Sequence, residues 1–313
     1  MEQPTDLKPK ISIVLPALMG YDSVLAALDS WDAQTSRSDI EIVVLCPSVP
    51  DHPVPPHHII IETGSAHLHA ARAAGIRKAT ADYVILAEDH CLPDPDCVEV
   101  ILQRLDEGWD AVGPSLRPGY RHGALAQGVF LISYGQWMLP TGGSVSHLPG
   151  HNAALRRQPL IEMGVGLEED LVIPLFLMRR LHSQGQRFCV EGRTGMRHFD
   201  VPQWGKSTEI FFAVGMGCGA VRLANASTFT RLLYGVITPV TAARHFTRGV
   251  VQYARAGRRA GFGLGSIVTG GVFACVWAFG ESVGAWRGVE RVTPDLWVSE
   301  IKPVSREQAA ATA

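Results

Sequence analysis

The chain has 313 residues, 46% of them hydrophobic and 19% charged, with 32 glycines. That is enough for one large α/β core plus a smaller module, since single cores stop growing near ~250–300 residues, and the composition excludes a largely disordered chain, leaving disorder to the ends. The net charge of −2 hides a split: residues 1–209 carry 17 basic and 25 acidic side chains, whereas 210–280 has no Asp or Glu and seven arginines (222, 231, 244, 248, 255, 258 and 259), so two surfaces with different partners are expected. Six cysteines without a Cys-x-x-Cys pair, and a polar Met1–Lys10 with no apolar signal core, point to a reducing cytoplasm.

Ile11–Pro16 is a short β-branched run closed by proline. Residues 21–34 follow with helical spacing, Val24, Leu25, Leu28 and Trp31 on one face. Glu41–Cys46 reads as a second buried strand, and a proline- and histidine-rich loop over 50–58 leads to a third at Ile59–Ile61. An alanine-rich helix over 66–79, a strand Tyr83–Ala87, a helix over 96–107 and a strand at Ala111–Gly113 continue the alternation. This order predicts an α/β fold with a mostly parallel central sheet flanked by helices. In such sheets ligands bind beyond the carboxyl ends of the strands, which singles out the loop after the first strand and Glu88-Asp89-His90. Three ligand-type residues there could hold a divalent ion completed by phosphate oxygens. The plainer reading is a solvated strand end that caps the next helix.

Ile11-Ser-Ile-Val-Leu-Pro16, Ala71-Arg72-Ala-Ala-Gly75 and Ala81-Asp-Tyr-Val-Ile-Leu-Ala-Glu-Asp-His90, in that order, resemble the nucleotide-sugar half of the inverting family 2 glycosyltransferases, whose fold is called GT-A. The resemblance implies a nucleotide-sugar donor contacted by Pro16, Ala17, Arg72, Glu88 and Asp89. It also implies Mg2+ or Mn2+ at Asp89, His90 and, further on, His198. The sequence departs from the family pattern in two places: Ala87 stands where the first motif aspartate often falls, and Cys46-Pro47-Ser48 where an aspartate often contacts the nucleoside.

Pro149-Gly-His-Asn-Ala-Ala-Leu-Arg-Arg157 is similar to the family's Gly-x-Asn-x-x-x-Arg stretch, which implies acceptor or sugar contacts at Gly150, His151, Asn152 and Arg156. Gly150 would let backbone approach a sugar, and Asn152 can both donate and accept hydrogen bonds; the plainer reading of Arg156 and Arg157 is a solvent-facing helix start. Leu167-Glu-Glu-Asp170 opens an apolar helix expected to run to Leu181 and is similar to the family's Glu-Asp motif, which makes Asp170 the base toward the acceptor hydroxyl with Glu169 beside it. Carboxylates at a helix start are held charged by the helix dipole; capping by Glu168 and Glu169 is the competing reading. His57, His58, His67, His69, His147 and His151 have no zinc-like spacing with cysteine and read as loop residues.

Residues 210–280 read as helices broken by glycine and proline. Arginines among Val, Phe and Tyr over 230–260 form a basic amphipathic surface, followed by an uncharged 20-residue stretch from Gly261 to Gly280. Helices lying in or dipping into a cytoplasmic leaflet fit this composition, each basic residue contributing about 1 kcal/mol with anionic lipid; a buried core helix or an oligomer interface are the plainer readings. A nucleic-acid surface fits poorly, because the arginines lack interleaved lysine. Bacterial relatives acting at membranes share this arrangement, so the resemblance implies a lipid, lipid-linked or cell-envelope acceptor and a peripheral location at the inner face of the membrane. The expected domains are 1–209 catalytic, 210–285 helical and a partly disordered tail over 286–313.

Two other classes compete. A nucleotidyltransferase would want a glycine-rich loop bearing Lys or Arg after the first strand, which Pro16-Ala-Leu-Met-Gly20 is not. A non-catalytic sugar-nucleotide-binding protein would use the motif acids structurally. A retaining glycosidase would leave Glu88 to His90 unexplained, and no Gly-x-Gly-x-x-Gly is present for a dinucleotide oxidoreductase.

Overall fold

Strands made of unbroken apolar runs belong inside a sheet covered on both faces, and β1 (Ile11–Pro16) and β2 (Ile40–Cys46) are buried at every position. The computed structural model describes residues 8–120, 123–138, 143–199, 203–288 and 303–310. Two compact units emerge, one from Met1–Ser115, Pro140–Arg197 and Pro303–Ala313, the other from Leu116–Leu139 and His198–Lys302.

In the first unit β1, β2, β3 (His58–Glu62) and β4 (Tyr83–Leu86) lie parallel in the order β3-β2-β1-β4. Their connections carry α1 (Leu25–Asp32) and α2 (Leu68–Lys78). The helix expected over 21–34 instead opens with a tighter 3₁₀ turn, Tyr21–Val24. The alanines of α2 let it sit close to the sheet; a Cβ at Gly75 would strike Val14 and Leu45. After β5 (Cys91–Pro93) and α3 (Cys97–Asp106) comes β6 (Ala111–Pro118). Helix α4 (Ala124–Tyr134) belongs to the second unit. The first unit resumes with β7 (Gly143–Val145), β8 (Ala154–Arg156), α5 (Arg157–Glu162), α6 (Gly166–Val172), α7 (Pro174–Ser183) and β9 (Phe188–His198). β8 runs antiparallel between β4 and β6, and the sheet continues to β9 and β5.

The second unit holds α4, α8 (Trp204–Arg222), α9 (Thr228–Val236), α10 (Thr238–Gln252) and α11 (Gly265–Arg287). It takes in Leu116–Leu139 as well as the segment expected to begin at 210, because the apolar α4 packs along α11, where Thr269 Oγ1 donates to the Ala124 carbonyl at 2.6 Å. Helices α8 and α11 meet through two Gly-x-x-x-Gly pairs: a Cβ at Gly215 or Gly219 would strike the backbone of Trp277 or Glu281, and one at Gly280 or Gly284 the backbone of Phe212 or Met216. Small residues at this spacing bring helix backbones together. By length and composition α11 could cross a membrane; its outer stripe, Val268, Val272, Phe279 and Trp286, is exposed, as are Phe229 and Val236 of α9.

Only part of the arginine cluster faces outward. Arg222, Arg244, Arg255, Arg258 and Arg259 are exposed, and Arg222 also directs its guanidinium to the fully buried Glu281. Glu281 Oε2 accepts from Arg222 Nη1 at 2.8 Å and Tyr234 Oη at 2.6 Å, and Oε1 from Trp277 Nε1 at 3.1 Å. Burial alone would raise this carboxyl, but hydrogen bonds from His245 and Tyr234 and the Arg222 charge outweigh it and hold it at about 2. A carboxylate depressed in the folded state contributes stability above its unfolded value of about 4.5 and loses it as pH falls toward the folded one. Acid unfolding followed by tryptophan fluorescence is therefore expected to steepen between pH 4.5 and 2, and Glu281→Gln to flatten that slope.

Within the expected tail, residues 289–302 lie outside the described residues. Val304, however, is buried against the first unit and its N–H donates to the Asp89 carbonyl at 3.3 Å. Arg306, opening α12 (Arg306–Ala310), grips both oxygens of Asp29 at 2.6 and 2.7 Å.

Candidate donor and metal site

Parallel pairing sets the edge at which a ligand can sit. Val14 lies opposite Leu86 and the Ala87 N–H donates to the Val14 carbonyl, so the residues after β1 and those after β4 leave the sheet side by side. Pro16 and Ala17 are at this edge as expected. Both are buried, and the Ala17 N–H is held by the Leu45 carbonyl at 2.8 Å. Cys46, at the end of β2, is fully buried with its thiol pushed up to about 11 by burial, so it is no substitute for a nucleoside-contacting aspartate. Arg72 lies within α2, almost wholly buried.

Glu88, Asp89 and His90 leave β4 together. His90 Nδ1 is 2.8 Å from Asp89 Oδ1, and its Nε2 is 3.6 Å from Glu88 Oε2. The same Glu88 oxygen is 2.8 Å from His151 Nδ1, 3.0 Å from Asn152 Nδ2 and 3.4 Å from Cys91 Sγ. Ligand atoms of Glu88, His90 and Cys91 lie within 4.8 Å of one another, a donor set that fits a divalent ion. Cys91 and His151 thus join the site from positions where the motif alone did not place metal chemistry.

Asn152 accounts for this convergence. It is fully buried, with φ 60 in the left-handed region, which asparagine tolerates better than most residues. Its N–H donates to the Leu86 carbonyl at 2.8 Å, its Oδ1 accepts from the Glu88 N–H at 3.2 Å, and its Nδ2 reaches Glu88 Oε2 and Cys91 Sγ. These contacts turn the amide inward toward Glu88. Gly150 is likewise buried: an added Cβ would strike Pro174, the first residue of α7, so its smallness serves packing. Arg156 lies elsewhere on the sheet. Pairing Arg156 with Tyr83 puts it at the start of β4, the sheet edge opposite Glu88, where it bonds Asp110 at 2.8 Å.

The acidic segment does not open one long helix. Pro174 cannot continue the backbone hydrogen bonding of α6, so α7 begins anew and Asp170 sits in the fifth position of α6, past its first turn. Glu169 is exposed, Glu168 pairs with Arg77 at 2.9 Å, and Asp170 Oδ2 accepts from Arg180 Nη1 at 2.6 Å. No other hydrogen bond to Asp170 exists among the described residues. The contact of Gly150 with Pro174 joins the Glu88 loop to the start of α7, four residues beyond Asp170. His198 ends β9 in the second unit, buried beside Phe130 and Tyr134.

Residues 12–164 match the family model for glycosyl transferase family 2. This segment is similar to a family 2 glycosyltransferase domain. The α/β architecture of the first unit, a mostly parallel sheet flanked by helices, is of the GT-A type. Among solved structures, S. aureus TarS is similar at 13% identity and TM-score 0.46, over 66% of this chain and 39% of that one. TarS 1–349 in complex with UDP-GlcNAc is similar at 13% and 0.44, over 66% and 64%; GalNAc-T7 with UDP, GalNAc and Mn2+ at 13% and 0.46, over 66% and 49%. The chain thus spans well under half of the first of these proteins. No curated protein matches it in sequence.

Proposed function

We propose that the protein transfers a sugar, with inversion, from a nucleotide-diphosphate donor to a hydroxyl of a lipid, lipid-linked or cell-envelope acceptor at the cytoplasmic face of a membrane. The observation that carries this reading is the convergence of His90, Cys91, His151 and Asn152 on the Glu88 carboxylate at the end of β4. Glu88, Asp89 and His90 would hold Mn2+ or Mg2+, which when bound offsets charge on the departing diphosphate. Asp170 takes the proton of the attacking hydroxyl as that oxygen bonds to the anomeric carbon and the bond from this carbon to phosphate oxygen breaks, the electron pair leaving with the nucleoside diphosphate. Arg180 Nη1 donates to Asp170 Oδ2 at 2.6 Å and holds the carboxylate in place. The acceptor class rests on the second unit, whose exposed Arg244, Arg255, Arg258 and Arg259 accompany an exposed apolar stripe on α11, a combination suited to anionic lipid.

A thermal-shift screen of nucleoside diphosphates with and without Mn2+ tests the donor. One base is expected to raise Tm in a metal-dependent manner, by mass action; equal responses to all bases, or none, would contradict the reading.

A further inference from the structure

His57 and His58 have no metal-binding spacing in sequence, but the fold brings them a third group from another element. Asp32, the last residue of α1, faces both rings: Oδ1 is 3.1 Å from His57 Nε2, and Oδ2 is 3.0 Å from His58 Nε2. One ligand atom from each residue lies within 4.8 Å of the other two. Tetrahedral zinc, with bonds of ~2.0–2.1 Å, separates its ligand atoms by about 3.3 Å, so small side-chain shifts would seat an ion among these three.

The surroundings orient the set as metal ligands are oriented. His58 is buried and its Nδ1 lies 2.6 Å from Tyr21 Oη, the outer contact that fixes the tautomer and ring direction of a metal-bound imidazole. The two imidazoles meet edge to face at 4.5 Å. Arg37 Nε donates to Asp32 Oδ1 at 3.0 Å, and Arg37 Nη1 to the Ile40 carbonyl at 2.8 Å. Its charge opposes a cation and selects against ions that depend on carboxylate attraction, such as Mg2+ and Mn2+, in favour of those that bind imidazole well. His52 turns instead to Asp22, at 3.1 Å.

From this geometry we infer a second metal site, Asp32-His57-His58, that takes Zn2+ or a similar imidazole-binding ion with water completing its shell. His58 begins β3 and pairs with Ile42, near the start of β2, so the site lies at the sheet edge opposite Glu88 and is separate from the donor site. Its role is to fasten the proline-rich loop over 47–57 to the end of α1.

The test uses full-length protein carrying Glu88→Gln and Asp89→Asn, titrated with Co2+ and then Zn2+ in excess Mg2+. One equivalent of Co2+ is expected, with the visible absorption of a four-coordinate ion, displaced by Zn2+, and with a rise in Tm. His57→Ala, at a half-exposed position, is expected to weaken binding at least tenfold and to remove the Tm rise, whereas His52→Ala leaves both unchanged. Binding of the same strength in His57→Ala, or no bound ion at all, overturns the site. Should the doubly substituted background not fold, the same comparison is made in the wild-type chain. There His57→Ala must bind one equivalent fewer, and equal stoichiometry overturns the proposal.

Discussion

Asp170→Asn is expected to slow sugar transfer by roughly 10²–10⁴-fold, the usual contribution of a positioned general base, with donor affinity and fold retained. Asparagine keeps the shape of the side chain and can still accept from Arg180 through its carbonyl oxygen, but it cannot take a proton. The stability cost should be small, because the Asp170–Arg180 pair is partly exposed and such pairs are worth about 0–1 kcal/mol. Place in the helix argues against mere capping. Asp170 is in the fifth position of α6, where the orphan N–H groups of the first turn are already behind it, and Glu168 and Glu169 occupy that turn. Single-turnover transfer and nucleoside-diphosphate binding, measured on the same preparation, separate the roles. A variant that binds donor and transfers at the wild-type rate would remove Asp170 from the chemistry.

Much of the first unit is legible from residue order, and the reasons are local. Largely apolar runs such as Ile11–Pro16 and Ile40–Cys46, polar only at Ser12 and Glu41, read as covered strands, and alternation with helices then dictates parallel pairing and places Glu88 at the carboxyl edge of the sheet. What cannot be read is the direction in which a polar side chain faces. Asn152 looks like a sugar-binding amide by its neighbours in sequence, yet a left-handed backbone turns it inward toward a residue 64 positions away. The position of Arg156 is hidden for another reason. β8 runs antiparallel to β4, and that reversal, invisible in a three-residue strand, carries the arginine to the far edge. Glycine is equally ambiguous in the second unit, where Gly215, Gly219 and Gly280 read as helix breakers but, with Gly284, are the surface on which α8 and α11 meet. The segment at Val304 carries no signal of its own; only the fold shows that it returns to Asp89.

Asn152→Gly is expected to weaken Mn2+-dependent donor binding by roughly 10–100-fold, the range seen when an outer contact that orients a metal ligand is lost. Glycine is the substitution of choice because it accepts the positive φ at this position without strain, so the change removes the amide alone. Glu88 then loses the acceptor of its N–H and one partner of its carboxylate, and each buried polar group left unsatisfied costs about 1–3 kcal/mol. The two roles for Asn152 predict different kinetics. If it held the acceptor, KM for the acceptor would rise and the Mn2+ concentration for half-maximal rate would stay put. If it fixes Glu88, that concentration must rise while acceptor KM holds, and added Mn2+ should restore part of the lost rate. Rescue by metal is the decisive readout, since a sugar-binding amide cannot be replaced by raising the concentration of an ion it does not touch.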